Sequence, residues 1–126
     1  MTDLRPLQLG NPRTPLRRQL VEAVLGGRKT ATAGLASQYV EAGVTVGSVG
    51  DRRVLLGYDD EPVAIVEITE ARVVPAHELD LAFAQDEGEG FASVEEWRLA
   101  HEEFFEQPIA AETAIVAVRF RVTERL

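Results

Sequence analysis

The sequence has 126 residues, a length that suits one domain with its own hydrophobic core, so we expect a single domain over residues 1–126. It has no cysteine, which excludes disulfides and thiolate metal sites, and its formal net charge of −8 argues against tight binding to long duplex DNA. The N terminus has no signal-peptide pattern and no segment predicts a membrane span, so we expect a cytoplasmic protein with no membrane partner.

Basic side chains are concentrated near the start of the chain. Residues 1–30 contain six basic and two acidic residues, although the whole chain is acidic. We therefore expect this end to receive a small anionic ligand or a short single strand. Lys29 is the one lysine among thirteen basic residues. Because arginine keeps its proton at any accessible pH whereas a desolvated lysine can lose it, Lys29 is a candidate general base.

The first predicted element is a helix over residues 15–25. Thr14 and Pro15 suit its N-cap and first turn, apolar residues repeat on one helical face, and Gly26 with Gly27 predicts its end.

Residues 29–33 follow as a predicted strand, and residues 36–42 as a short helix. In a regular strand Lys29 and Thr32 point to opposite faces, because successive side chains alternate. Cooperation between these two residues therefore requires a twist or a turn of the backbone.

The middle of the chain predicts a β-hairpin. A Val-Gly-Asp turn at residues 49–51 leads into a strand over residues 53–58. The polar segment 59–62 then reverses the chain into a second strand over residues 63–74, which Pro75 ends.

The C-terminal part predicts two helices and a closing strand. Residues 78–85 favour a helix, and the glycine-rich segment 88–90 breaks the chain. Ser and Glu within residues 93–96 are spaced as a capping box, which predicts a helix over residues 94–105. Apolar alternation over residues 113–123 predicts the last strand. These elements together predict an α+β fold with a small, barrel-like mixed sheet and helices packed around it.

Three motifs in this order resemble the ASCH family. They are Gly-Arg-Lys-Thr-Ala-Thr at residues 27–32, Val-Gly-Asp at residues 49–51, and an acidic block at residues 83–90 followed by Trp-Arg-x-x-His at residues 97–101. The resemblance covers residues 14–123 and implies the PUA-like small mixed β-barrel of that family. The last block is similar to a bacterial ASCH subgroup with a Glu-Gly-Glu-Gly sequence.

The resemblance implies a catalytic set. Some ASCH proteins are amidohydrolases that remove the acetyl group from N4-acetylcytidine with a lysine base, a threonine nucleophile and a glutamate proton donor. By motif match these positions are Lys29, Thr32 and Glu87. The roles are chemically consistent, because a threonine hydroxyl needs an adjacent base and a carboxyl with a raised pKa can protonate a departing amine.

Two other functions remain open. The chain has Gly34 where the amidohydrolase branch has an arginine, and another protein of the longer subgroup is a ribonuclease acting on single-stranded RNA. In such a ribonuclease Lys29, Arg28 and Glu87 would supply the base, the phosphate contact and the acid. A third possibility is a non-catalytic RNA-binding module, because PUA-like barrels often only bind. No organic cofactor and no metal ligand is expected, and the expected partner is a nucleoside or a short single-stranded RNA.

Further residues are expected to bind the substrate or to serve the fold. The predicted substrate-binding residues, from their motif positions and their stacking ability, are Arg28, Thr30, Tyr39 and Tyr58. Helical spacing predicts core packing for the aromatic side chains Trp97, Phe104 and Phe105. His101 lies one turn after Trp97 and is expected to be a half-buried histidine with its hydrogen bonds satisfied. Asp86 and Glu89 are expected to lie in a solvated acidic turn.

Overall fold

The computed structural model describes residues 4–126. Residues 1–3, which belong to the N-terminal pattern and to the basic stretch 1–30, lie outside the described residues. The strands are β1 (Arg5–Leu7), β2 (Ala31–Leu35), β3 (Arg52–Leu56), β4 (Pro62–Pro75) and β5 (Ala114–Arg125). The α-helices are α1 (Pro15–Leu25), α2 (Ala36–Ala42), α3 (Leu81–Asp86) and α4 (Val94–Phe105), and a 3₁₀ turn spans Ala76–Glu78.

The five strands form one curled mixed sheet. Their order is β1-β3-β4-β5-β2, with β1 parallel to β3 and every other neighbouring pair antiparallel. The pairing of β4 with β5 shifts register between Ile65 and Val66 and again between Ile68 and Glu70. Such irregularities bend a strand and increase its twist, which curls the sheet into a half-barrel with the four helices around it. The predicted α+β, PUA-like architecture is confirmed.

Helix α1 has the predicted boundaries because its end signals are local. The Thr14 side chain accepts a hydrogen bond from the Arg17 backbone N–H at 3.1 Å, Pro15 is the first helical residue, and Gly26 is the C-cap. The buried face of α1 packs on the sheet in a cluster that includes Leu20, Val21, Val24, Leu55, Val66 and Phe120. A second cluster joins α3 and α4 to β2 and β5 through Phe83, Trp97, Ala31 and Ile115. Within residues 4–126, no helix is both long and apolar enough to cross a membrane.

Several predicted elements differ from the structure. Strand β3 spans Arg52–Leu56 instead of residues 53–58, and β5 ends at Arg125 instead of residue 123. Strand β2 begins at Ala31, so Lys29 and Thr30 lie outside it, because their backbone N–H groups donate to Ala23 and to Asp86 rather than to a neighbouring strand. The predicted helix over residues 78–85 is divided into the 3₁₀ turn and α3. Asp80 causes the division, since its carboxylate accepts from the Phe83 N–H at 2.9 Å and so caps a new helix.

A fully buried arginine fixes the segment between β1 and α1. Arg17 donates to the backbone carbonyls of Leu9 at 2.7 Å, Gly10 at 3.1 Å and Gly57 at 2.9 Å. It also pairs with the Asp60 carboxylate at 2.9 Å. One side chain therefore ties residues 9 and 10 to the β3–β4 hairpin.

Candidate active site

A cavity of about 340 Å³ lies between α1, β2, α4 and the loop after α3. Its walls are partly apolar, with Leu9, Leu16, Leu20 and Phe104 among the lining residues. The lining side chains that can react or carry a charge are Lys29, Thr32, Glu87, Glu89, His101 and Glu103. The volume falls within the range of small-ligand sites.

Lys29 is a buried lining residue of this cavity. Only 2 % of the residue is exposed, and its backbone N–H donates to Ala23 at the end of α1 at 3.0 Å. Its Nζ donates to the Glu87 backbone carbonyl at 3.3 Å and lies 3.5 Å from Glu87 Oε1. The one lysine of the chain thus has a carboxylate as its direct partner.

Gly88 allows the loop after α3 to approach Lys29 closely. Its φ of +74° lies in the left-handed region, and an added Cβ would stand 2.8 Å from the carbonyl group of Arg28 and from the Lys29 Cα. The same loop is held by the Thr30 N–H, which donates to the Asp86 carbonyl at 2.7 Å, and by an ion pair between Asp86 and Arg119. These contacts place Glu87 over Lys29.

Glu87 is the central acceptor of the cavity. It is 1 % exposed, its Oε2 accepts a hydrogen bond from Trp97 Nε1, and its Oε1 lies near Lys29 and 3.4 Å from His101 Nε2. Burial raises the pKa of Glu87, but the contact with His101 and the charge of Lys29 outweigh it, and the pKa lies below its ordinary value. A carboxyl acting alone as proton donor needs a raised pKa, so the structure differs here from the sequence-based expectation.

The geometry around His101 favours a protonated ring. Its Nδ1 lies 2.8 Å from the Trp97 carbonyl oxygen, which can only accept, so Nδ1 carries a hydrogen. The lone pair of a neutral Nε2 would then face the Glu87 carboxylate, and a proton between the two groups removes this repulsion. Burial lowers the pKa of His101, but the Glu87 carboxylate more than compensates and the pKa is raised. The ring also stacks on Trp97, with centroids 4.3 Å apart.

Glu89 lies at the exposed edge of the cavity. Loss of water around its carboxylate raises its pKa; Lys29 opposes this rise, and the Glu87 charge adds to it. One ligand atom from each of Glu87, Glu89 and His101 lies within 4.8 Å of the other two, so this group has the spacing of a metal site. However, the Lys29 amino group already lies beside Glu87 Oε1, where a cation would bind. We therefore assign no metal here.

Thr32 lies in the middle of β2, opposite Val118 of β5, and is half-buried. Its side chain lines the same cavity as Lys29. This is possible because the chain enters β2 only at Ala31, so Lys29 and Thr32 do not follow the alternation of one regular strand. The structure thus brings the three predicted catalytic residues to one cavity.

The predicted substrate-binding residues are placed differently. Arg28 and Thr30 are exposed and are not among the cavity-lining residues in the described part of the chain. Tyr58 also lies outside the lining, with the Arg18 guanidinium 4.2 Å from its ring centre. Tyr39 lines a second cavity, which shares Thr32 with the first. Their binding roles stay predictions.

Sequence reasoning missed the contributions of α4 and of Glu89 to the cavity. His101 was expected to be half-buried and is buried, with its ring in the site. Phe104 was expected in the core but is 45 % exposed and lines the cavity, whereas Trp97 is in the core as predicted and Phe105 is half-buried. Asp86 and Glu89, which were expected to lie in a solvated turn, both have specific surroundings. Asp86 pairs with Arg119, and Glu89 lines the cavity. The i, i+4 spacing of Trp97 and His101 was the available signal, because it places both rings on one helical face.

Comparison with known proteins agrees with this architecture. The family model described as the ASCH domain matches residues 8–124. None of the curated proteins compared with the chain matches it.

Several solved structures are similar to the chain. A protein of family DUF984 from Enterococcus faecalis V583 has a TM-score of 0.84 at 23 % identity, over 96 % of this chain and 77 % of that one. An ASCH domain from Lactobacillus crispatus JV V101 has a TM-score of 0.72 at 27 % identity, over 84 % of this chain and 71 % of that one. A mutant ASCH protein from Zymomonas mobilis has a TM-score of 0.55 at 12 % identity, over 85 % of this chain and 66 % of that one.

Proposed function

The chain belongs to the ASCH domain family, and from this membership and the geometry of the cavity we propose that it is a hydrolase acting on a modified nucleoside or on RNA. The leading reaction is hydrolysis of an amide of the N4-acetylcytidine type. One observation carries the proposal: a buried lysine lies 3.5 Å from a buried carboxylate in a cavity that a threonine hydroxyl also lines. A module that only binds RNA has no need to bury such a pair, since desolvation of both charges costs free energy.

The proposed reaction begins when the Lys29 ammonium group loses its proton to water. The Thr32 hydroxyl oxygen then attacks the acetyl carbonyl carbon, and the hydroxyl proton passes to the neutral Lys29 amino group. The carbon–nitrogen bond then breaks, leaving an acetyl ester on Thr32 and the free amine of the base. Water hydrolyses this ester to acetate, restores the threonine hydroxyl and returns one proton to the group that protonated the amine.

The departing nitrogen needs a proton, which the pair of Glu87 and His101 supplies. Because the pKa of Glu87 is lowered and that of His101 is raised, the proton resides on the imidazole in the resting state. Transfer through Glu87 Oε1, 3.4 Å from His101 Nε2, brings it to the side of the cavity where Lys29 lies. Lys29 and this pair are then the base and the acid of one reaction.

His101 also favours a second candidate, a ribonuclease acting on single-stranded RNA. An imidazole and a lysine in one cavity can serve as acid and base when a ribose 2′-hydroxyl attacks the adjacent phosphate. This reaction uses the substrate's own hydroxyl as nucleophile. It therefore does not require the hydroxyl of Thr32.

The test is to incubate the purified protein separately with N4-acetylcytidine and with single-stranded RNA, each with and without a chelator. Thr32→Val, which keeps the shape and loses the hydroxyl, should eliminate amide hydrolysis, and Thr32→Ser, which keeps a hydroxyl, is the matched control. Hydrolysis of neither substrate by the wild-type protein contradicts the proposal. Cleavage of RNA alone, retained in Thr32→Val, would establish the ribonuclease instead.

A further inference from the structure

A second cavity, of about 100 Å³, shares Thr32 with the candidate active site. Its apolar lining includes four residues of β4 and β5, Val66, Ile68, Val118 and Phe120. Its polar lining comes from β1, α2, the loop before β3, and β3 itself, through Arg5, Tyr39, Thr45 and Arg53. The cavity therefore combines an apolar surface with two guanidinium groups.

One stretch of chain borders both cavities. Residues 5–7 line the second cavity, and residues 8–10, which follow directly, line the first. Because Thr32 also contributes to both, the two cavities are neighbours along one wall. A ligand with two linked groups can place one group in each.

The second cavity is locally positive in an acidic protein. The Arg53 side chain is 11 % exposed, and its one carboxylate partner, the half-exposed Asp51, lies 3.4 Å away. Arg5 is fixed by Thr45, whose hydroxyl accepts from its Nη1 at 2.8 Å. Burial raises the pKa of Tyr39, while the charges of Arg53 and Arg5 oppose the rise. Two arginines against one carboxylate leave a net positive charge in a chain whose formal charge is −8.

We propose that the second cavity binds a phosphate group of the substrate through Arg5 and Arg53, so that the base in the first cavity belongs to a nucleotide or an RNA strand. Guanidinium groups suit phosphate because they donate two parallel hydrogen bonds and keep their charge. The identity of the base rests on the proposed function, but phosphate binding itself requires no catalysis.

The test measures binding to the intact protein by calorimetry with three probes: cytidine, cytidine 3′-monophosphate and a short single-stranded oligocytidylate RNA. The variants are Arg53→Gln and Arg5→Gln. Arg52→Gln is the matched control, since Arg52 is the neighbouring arginine on β3 but is exposed and lines neither cavity. Circular dichroism verifies that each variant folds.

Each phosphate-bearing probe that binds the wild-type protein should bind Arg53→Gln on the order of tenfold to a hundredfold more weakly, with cytidine binding unchanged. For the RNA, the slope of log affinity against log salt should fall by about one in each variant. Tight binding of the monophosphate identifies a nucleotide ligand, and binding of the RNA alone identifies a strand. Equal affinities of Arg53→Gln and Arg52→Gln, or no binding of either phosphate probe to the wild type, overturn the proposal. If the wild-type protein binds the phosphate probes but hydrolyses neither N4-acetylcytidine nor RNA, the proposed function is contradicted and phosphate binding is not.

Discussion

Replacement of Gly88 by alanine should separate the Glu87 loop from Lys29. The alanine methyl group would lie 2.8 Å from the backbone of Arg28 and Lys29, and backbone atoms cannot rotate away as a side chain can. The loop must therefore move. Movement breaks the hydrogen bonds from Thr30 N–H to the Asp86 carbonyl and from Lys29 Nζ to the Glu87 carbonyl.

The magnitude follows from these terms. A left-handed backbone conformation costs a residue with a Cβ about 1–2 kcal/mol. The two broken hydrogen bonds add about 0.5–1.5 kcal/mol each. The free energy of unfolding should therefore fall by about 2–5 kcal/mol in Gly88→Ala, and at about 4 °C per kcal/mol for this chain length the Tm should fall by about 8–20 °C.

Gly90→Ala is the matched control for this variant. Gly90 has a φ of +81°, but no atom lies within 4 Å of its added Cβ, so only the conformational cost of about 1–2 kcal/mol remains. Urea unfolding measures both variants, and turnover should decrease more in Gly88→Ala than in Gly90→Ala. Equal losses of stability in the two variants would refute the reasoning, because the close approach to Lys29 would then have no energetic effect.

Three further variants test the candidate site and its support. Lys29→Arg should fold, as circular dichroism can verify, but lose on the order of 10²–10⁴ in turnover, because arginine keeps the charge beside Glu87 and loses the base; wild-type turnover would contradict this. For His101→Phe, we expect the wild-type advantage in unfolding free energy to shrink as the pH rises above 6.5, the ordinary pKa of histidine. Because the pKa of His101 is raised in the folded protein, protonation adds stability that is fully present below pH 6.5 and is lost as the pH rises through the folded-state pKa. A difference in unfolding free energy between wild type and variant that stays constant from pH 6 to pH 9 would argue against the bound proton. Arg17→Met should lower the unfolding free energy by about 3–5 kcal/mol in a urea titration, since it leaves buried carbonyls without donors. The control Arg18→Met loses only an exposed contact with an aromatic ring, so it should cost less than about 1 kcal/mol in the same titration.

The sequence predicted elements whose signals are local. Helices α1 and α4 begin where Thr14 and Ser93 cap them, and each cap needs only residues three positions further along the chain. The position of Thr30 outside β2 depends on its hydrogen bond with Asp86, which is far away in sequence, so no local pattern could reveal it. Strand β1 was missed for the same reason, because three residues become a strand only by pairing with β3.

In the candidate site, too, local motifs predicted some residues, whereas others depend on contacts between segments that are distant in sequence. Lys29, Thr32 and Glu87 were predicted because a motif carries them, and all three line one cavity. The sequence did not predict that His101 belongs to the site. Helical periodicity predicts which face of α4 is buried, but it does not predict that this face contacts the Glu87 loop. The opposite pKa shifts of Glu87 and His101 arise from that contact and are properties of the pair.

Arg17 holds an irregular stretch of backbone in place through side-chain hydrogen bonds. Residues 9 and 10 belong to no helix or sheet, yet their carbonyls are satisfied by a side chain that is itself completely enclosed. Because the same side chain also pairs with Asp60 at the β3–β4 hairpin, residues 9 and 10 should separate from the hairpin only when the contacts of Arg17 break. Because these two residues form one wall of the larger cavity, a ligand meets a surface that is already shaped, and little ordering of the chain opposes its binding.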